Sequence, residues 1–255
     1  KTTVDIRDTA IKITSDGISL LYGAPILSPE RDSRSFTAAF TKISEVLQTF
    51  SMREPSIART WLFMNNVLRD YENLNTAREQ YFAKWHCPVN HFMPASTGIQ
   101  SQMMGRESLA IQFCAFSGCH IAMKRIPSPL QDEPTAYGKL FSRAVAVGFP
   151  HSKLLLISGT AAIDKSGSSV HIGDFAGQME FTLKIVSAIL QQENGGFANV
   201  AQAVVYLKRR EDKDCCLRIL EGNGFPCDRA LFQLDVDVCR ENLLCEMEVT
   251  AVMTS

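Results

Sequence analysis

Two glutamates near the end of the chain have the type and spacing that acid–base chemistry requires. Glu246 and Glu248 are two positions apart in a segment that reads as a strand, so both side chains point to one face of it. Apolar residues such as Leu244 and Val249 flank them, and burial among such residues raises the pKa of a carboxyl group toward the range useful for general acid catalysis. The alternative interpretation is an edge strand with a solvated acidic face.

The secondary-structure elements that must position these glutamates follow one order twice along the chain. Apolar periodicity and turn signals predict, in a first pass, a helix over 35–48, a strand over 58–64, a helix over 71–84, a polar turn-rich stretch over 94–98 and a strand over 108–115. The second pass predicts a strand over 153–163, a helix over 175–192, a strand over 203–207, a helix over 213–220 and two closing strands within 234–253. A repeated order of elements indicates two similar modules.

The repeat also indicates where the chemistry lies. Matching Ala115 of the first pass to Ala251 of the second puts Gln112 against Glu248. The first pass therefore lacks the carboxylate pair. A pair that only one copy carries is not required by the scaffold, which indicates a single working site in the second half.

These patterns predict an α+β fold of two modules, each a mixed β-sheet with two helices packed on one face. Residues 1–126 form the first module, which acts as a structural partner, and residues 127–255 form the second, which carries the active site. We expect the Pro-rich segment 127–134 to join them.

Composition excludes several classes of function. The formal net charge is -1 and no run of Lys and Arg is longer than three residues, which argues against a nucleic-acid surface. No apolar stretch approaches the roughly 20 residues that span a bilayer, and the first residues lack the apolar core of a signal peptide. The 8 cysteines include no CxxC pair and no zinc-finger spacing. This usage is typical of a cytoplasmic protein and does not indicate a metal site.

Several segments resemble the fold family of the reactive-intermediate (imine) deaminases and, within it, the chorismatases. The deaminase-like pieces are Leu156-Ile-Ser-Gly-Thr-Ala-Ala-Ile163, Val170-His-Ile-Gly-Asp174, Val205-Tyr-Leu207 and Asp237 to Glu248. The pieces similar to chorismatases are Arg59-Thr-Trp-Leu62, the helix from Tyr71 to Tyr81 and Pro94-Ala-Ser-Thr-Gly-Ile99. The resemblance implies that both modules are deaminase-like.

The resemblance also implies an activity. Chorismatases hydrolyse chorismate, releasing pyruvate from its enol ether and leaving a hydroxybenzoate or a dihydroxycyclohexadiene carboxylate, in secondary metabolism. The proton donor is a glutamate on the last strand, a position that Glu248 matches better than Glu246. No metal or organic cofactor is implied. The ligand is a small-molecule carboxylate.

Two anionic groups on such a substrate need cationic or amide partners. Arg143 is the first candidate, followed by Arg59, Tyr81 and the backbone amides of Gly159 and Thr160. We expect Glu248 and Arg143 to share one pocket where the second sheet meets the first module. A surface salt bridge for each arginine and a core position for Tyr81 are the structural alternatives.

Two other functions stay open from the sequence. An imine deaminase would be a homotrimer with sites between subunits, in which Arg240 or Arg229 would bind the substrate carboxylate. A repurposed biosynthetic partner protein would have lost the chorismatase activity. Both a monomer and a homotrimer are compatible with a chain of two modules.

Overall fold

The computed structural model describes residues 1–7, 9–84, 93–102 and 105–254. The strands of this part of the chain form two sheets of six, in the orders β1-β2-β3-β6-β4-β5 and β11-β10-β12-β9-β8-β7. Each sheet contains antiparallel pairs and one parallel pair, β4 with β5 and β10 with β11. The predicted α+β class, with two mixed sheets and two helices for each, is confirmed.

The elements of the first sheet and its helices are β1 (Thr3–Arg7), β2 (Ala10–Ser15), β3 (Ile18–Ser28), α1 (Ser33–Thr49), β4 (Ile57–Met64), α2 (Val67–Ala83), β5 (Ala95–Gln100) and β6 (Leu109–Gly118). Those of the second are β7 (Ala122–Ile126), β8 (Ala144–Phe149), β9 (Ser152–Thr160), α3 (Phe175–Gln192), β10 (Val200–Leu207), α4 (Lys213–Gly222), β11 (Ala230–Leu234) and β12 (Cys245–Thr254). Polar N-caps fix where the long helices begin, as when Asp174 accepts a hydrogen bond from the Gly177 amide at 3.1 Å.

Alternation along the strands separates two faces of each sheet. Met247 and Val249 of β12 pack against α3 in the core of the second module, whereas Glu246 and Glu248 point away from the helices. The helix-free faces of the two sheets meet in a third apolar cluster that includes Ala95 of β5 and Leu156 of β9. Both glutamates therefore lie between the modules.

Similar irregularities mark the central strand pair of each module. Ala115 pairs with Ile57, and Ala251 pairs with Val200, in each case next to a shift in register. The register therefore supports the match of Ala115 to Ala251. In this match, Gln112 of the first module stands where the second has Glu248.

The chain passes from one sheet to the other between Gly118 and Ala122. This crossing lies before the predicted boundary between residues 126 and 127, because β7 completes its backbone hydrogen bonds with β8 of the second module. The Pro-rich segment 127–134 consequently lies within the second module and does not join the two.

Two local predictions were wrong. The stretch expected to be a turn at 94–98 contains most of β5, since its polar side chains have buried partners: Ser96 accepts hydrogen bonds from Thr60 and Arg78 at 2.9 and 3.1 Å. The first closing strand ends at Leu234 instead of beginning there. Asp235 follows with a φ of 58°, and its carboxylate accepts a hydrogen bond from the Arg210 amide at 3.0 Å, which stops the strand.

No helix in the described ranges is long and apolar enough to span a membrane.

Candidate active site

Glu246 and Glu248 point to the same side of β12, as predicted, but they line different cavities. Glu246 is 4% exposed and lines a cavity of about 230 Å³, which we call the arginine pocket. Its walls come from the start of α2, the segment 137–143, β9 and the loop before β12. Glu248 is 8% exposed and lines a wider cavity of about 520 Å³ between the helix-free faces of the two sheets, the inter-sheet cleft.

Glu248 is held in a buried ion pair. Its Oε2 accepts a hydrogen bond from Arg59 Nη2 at 2.7 Å, and its Oε1 accepts one from Trp61 Nε1 at 3.0 Å. Arg59 is 1% exposed and also donates to Thr97 Oγ1 and to the Ile157 carbonyl, both at 2.8 Å. These contacts use both oxygens of the Glu248 carboxylate and tie the first sheet to the second.

Glu246 has the opposite environment. It forms no ion pair with any described residue. Burial, followed by the negative charge of Glu248, raises its pKa to about 8, and Arg59 offsets part of that rise. The carboxyl group is thus mostly protonated at neutral pH. A buried carboxylic acid beside a cavity is the arrangement that a general acid needs.

Arg143 lies in the arginine pocket with Glu246. It is 3% exposed and donates to the Asp132 carbonyl at 2.8 Å and to the Tyr137 hydroxyl at 2.7 Å. Within the described part of the chain no carboxylate lies within ion-pair distance of it. Burial lowers the pKa of Arg143, while the nearby charge of Glu133 works in the other direction. A buried guanidinium without a paired carboxylate is a site for an anion.

A second arginine borders the same pocket. Arg240 donates to the Gly167 carbonyl at 2.7 Å and has no carboxylate partner among the residues that the structure describes. The third cation of the pocket, Lys139, is paired with Glu72 at 3.2 Å. The pocket therefore presents two unpaired guanidinium groups and one protonated carboxyl group.

The structure separates the residues that the sequence predicted as one site. Arg143, Gly159, Arg240 and Glu246 line the arginine pocket. Glu248 does not share this pocket with Arg143, contrary to our expectation, because Arg59 from the other sheet occupies its carboxylate.

Tyr81 and Thr160 do not line the arginine pocket, and Gly159 lines it without offering its amide. Tyr81 is buried in the core of the first module, where its hydroxyl lies 3.0 Å from that of Ser44. Thr160 is 1% exposed and donates its hydroxyl to the Ser158 carbonyl. The Gly159 amide is already bound to Thr97 Oγ1 at 3.0 Å, so Gly159 contributes space rather than a donor.

The pocket residues that sequence reasoning missed include Tyr71, Tyr137, Lys139 and Cys239. Tyr137 and Lys139 lie in the segment just before Arg143. An aromatic and a basic residue close to a candidate arginine were the signal that could have identified them as binding residues. Burial, followed by the charge of Glu246, raises the pKa of Cys239 to about 12, so this wall of the pocket is a neutral thiol. No cluster of three or more His, Cys, Asp or Glu in the described ranges could hold a metal ion.

Comparisons with known proteins show what the chain is similar to. The chain is 30% identical over 233 residues to a chorismatase from Streptomyces hygroscopicus, a match that covers 83% of this chain and 65% of the relative. It is 26% identical over 263 residues to a 3-hydroxybenzoate synthase from the same species, covering 93% of this chain and 75% of that protein.

A chorismatase crystal structure has a TM-score of 0.80 to the chain at 24% identity, covering 97% of this chain and 78% of the other. No family model matches the chain. The chain spans just under two thirds of the length of the Streptomyces hygroscopicus chorismatase. The fold similarity extends over both modules, and a second chorismatase, from Streptomyces rapamycinicus, is 29% identical over 235 residues. The chain is thus similar to chorismatases in sequence and in fold.

Proposed function

We propose that this protein cleaves the enolpyruvyl ether of chorismate, or of a close analogue, to pyruvate and a hydroxybenzoate or dihydroxycyclohexadiene carboxylate. One observation carries the proposal: Glu246, buried and with its pKa raised to about 8 by that burial, shares a pocket with two arginines that have no carboxylate partner among the described residues. Relatives described as chorismatases and as a 3-hydroxybenzoate synthase support the substrate class.

Charge matching favours a substrate with two carboxylates. Arg143 and Arg240 offer planar guanidinium groups, which bind carboxylates in a fixed geometry. The desolvated Arg143 gains most from such a partner, since it is the more buried of the two. A dianion would neutralise both groups, whereas the single carboxylate of a 2-imino acid would leave one unpaired. The pocket therefore favours chorismate over the substrate of an imine deaminase.

Glu246 supplies the proton in this proposal. The C=C bond of the enol ether takes the proton of Glu246 at its methylene carbon, which leaves an oxocarbenium ion at the carbon that bears the ether oxygen. Water adds to that carbon and returns a proton to the Glu246 carboxylate. The resulting hemiketal breaks its bond to the ring oxygen, which gives pyruvate and the dihydroxycyclohexadiene carboxylate. A hydroxybenzoate forms if this ring then loses one hydroxyl group and a ring hydrogen as water. Acid catalysis of this kind contributes about 10²- to 10⁴-fold to the rate.

This assignment differs from the sequence-based preference for Glu248. Both Glu248 oxygens are already bound, by Arg59 and by Trp61, and the inter-sheet cleft that Glu248 lines contains no Arg143. Its charge instead acts on the neighbour, because it contributes to the raised pKa of Glu246. We infer a supporting role for Glu248 and Arg59 in holding the two sheets together.

The same geometry bears on partners. Residues of both modules of one chain line the arginine pocket, from Tyr71 of the first to Glu246 of the second. This supports a monomer as a competent unit, without a contribution from a second copy.

A buried acid beside two arginines that lack a carboxylate partner in the described part of the chain also argues against a repurposed protein that has lost its activity. The cytoplasmic location stays a prediction from the sequence.

The test is direct. Purified protein is incubated with chorismate, pyruvate is measured through lactate dehydrogenase and NADH, and the ring product is separated by liquid chromatography. We expect pyruvate and one ring product in equal amounts, and the chromatogram decides between an aromatic acid and a diene. A folded protein that releases no pyruvate above the spontaneous rate contradicts the proposal.

A further inference from the structure

The inter-sheet cleft is a second cavity, on the side of the molecule that Glu248 faces. Its volume of about 520 Å³ lies within the range of small-molecule sites. Aromatic rings of Tyr22, Trp61 and Phe116 form the wall from the first sheet, and Leu156 and Tyr206 belong to the wall from the second. The cleft and the arginine pocket share no lining residue.

The charges of the cleft exclude an ionic ligand. Glu248 is its one charged lining residue within the described part of the chain. A carboxylate among aromatic rings would suit a cation, but Arg59 already occupies that position: it pairs with Glu248 and its guanidinium carbon lies 5.0 Å from the centre of a Trp61 ring. An anion, in turn, would find no free cation there. A neutral ligand is the one that this lining accepts without an uncompensated charge.

The polar groups of the cleft are amides. Gln112, Gln202 and Gln233 line it; Gln112 is half-buried, and Gln202 and Gln233 are exposed. Each primary amide offers two donor hydrogens and one acceptor oxygen. Aromatic walls with a few convergent polar groups are the usual composition of a site for a small organic molecule.

We propose that the inter-sheet cleft is a binding site for a neutral aromatic molecule that carries a hydrogen-bonding group, separate from the arginine pocket. The rings of the ligand would pack against Trp61 and Phe116, and its polar group would reach the glutamine amides. The inference depends on the cleft alone. It stands whether or not chorismate is the substrate of the other pocket.

A set of three probes of nearly equal size tests the charge preference. 2-Naphthamide is neutral, 2-naphthoate is an anion and 2-naphthamidine is a cation at pH 7. Binding is followed by NMR on ¹⁵N-labelled protein through the indole N–H of Trp61, which donates to Glu248 at the base of the cleft. The sequence has two tryptophans, so a Trp85→Phe background leaves the Trp61 signal alone. We expect the amide to shift this signal with at least tenfold tighter binding than either ion.

Two variants on one strand provide the matched control. Thr250→Phe fills the cleft from a partly buried position on β12, and should abolish the shift caused by 2-naphthamide. Thr254→Phe makes the same change on the same face of β12 at an exposed position outside the cleft, and should bind 2-naphthamide like the parent. The proposal fails if no probe shifts the Trp61 signal, if an ion binds as tightly as the amide, or if Thr250→Phe binds unchanged.

Discussion

The carboxyl group of Glu246 occupies the space that a side chain at Gly159 would need. A Cβ built on Gly159 would overlap Glu246 Oε1 and would lie 3.0 Å from Thr97 Cγ2. The two residues lie on neighbouring strands, since β9 pairs with β12. The absence of a side chain on β9 therefore decides where the proposed acid can sit.

Gly159→Ala should consequently impair catalysis more than folding. The added methyl group displaces the Glu246 carboxyl group, and a misplacement of about 1 Å can cost about 100-fold in rate. We expect kcat for pyruvate release to fall by about 10- to 100-fold. Gly222→Ala is the control, because no atom lies within 4 Å of a Cβ built there. An unchanged kcat in Gly159→Ala would mean that the position of Glu246 does not limit the reaction.

The two glutamates should respond differently to the same substitution. Glu246→Gln keeps the shape of the side chain but cannot deliver a proton, so kcat should fall by about two to four orders of magnitude with little change in thermal stability. Glu248→Gln leaves the buried Arg59 without its charge partner, and breaking such a pair costs about 3–5 kcal/mol of unfolding free energy. Steady-state kinetics and thermal melts on both variants separate the roles. A fully active Glu246→Gln would return the acid role to Glu248.

The pH dependence follows from the raised pKa of Glu246. The acid role needs the protonated form, which is present below a pKa of about 8. We expect kcat/KM to fall as pH rises through about 8. This decrease in the pH–rate profile should be absent in Glu246→Gln. Because this pKa is higher in the folded than in the unfolded protein, the group's contribution to stability is fully present below its unfolded pKa and is lost as pH rises through about 8. A rate that rises through pH 8 would contradict a proton donor at Glu246.

Arg143→Ala should act on substrate binding. Loss of a charged hydrogen-bond donor to a carboxylate corresponds to an increase in KM of about 10- to 100-fold, and Arg143→Lys should recover part of it by restoring the charge without the planar geometry. Arg229→Ala is the control, since Arg229 donates to the Val200 carbonyl and lies outside the arginine pocket. Initial rates over a range of chorismate concentrations measure the effect. Equal KM values for Arg143→Ala and the parent would exclude carboxylate binding by this residue.

The apolar patterns in the sequence were sufficient for many of the regular elements, although they did not predict the strands β1, β2, β3, β7 and β8. The helix predicted over 175–192 coincides with α3, because an apolar stripe at helical spacing has one way to be buried and Asp174 caps its first turn. The strands β4 and β6 and the helices α1 and α2 lie where the periodicity predicted them, within a few residues at their ends. A strand such as β5 cannot be predicted from its local sequence, because its polar residues are typical of a turn. Ser96 and Thr97 are buried in a strand because they accept hydrogen bonds from Arg78 and Arg59, which are distant in the sequence.

The sequence by itself determined that Glu246 and Glu248 share one face of a strand, because side chains alternate along a strand. It left open whether that face is buried or solvated. Only the tertiary structure decided that both glutamates are buried, and which of them is paired. Arg59 reaches Glu248 from 189 positions away, across the contact between the two sheets, while Gly159 opens the space for Glu246. Periodicity reports which face of an element is buried, but it carries no information about which side chain of another module arrives there. That choice holds one carboxyl group in an ion pair and leaves the other buried without one, which raises its pKa.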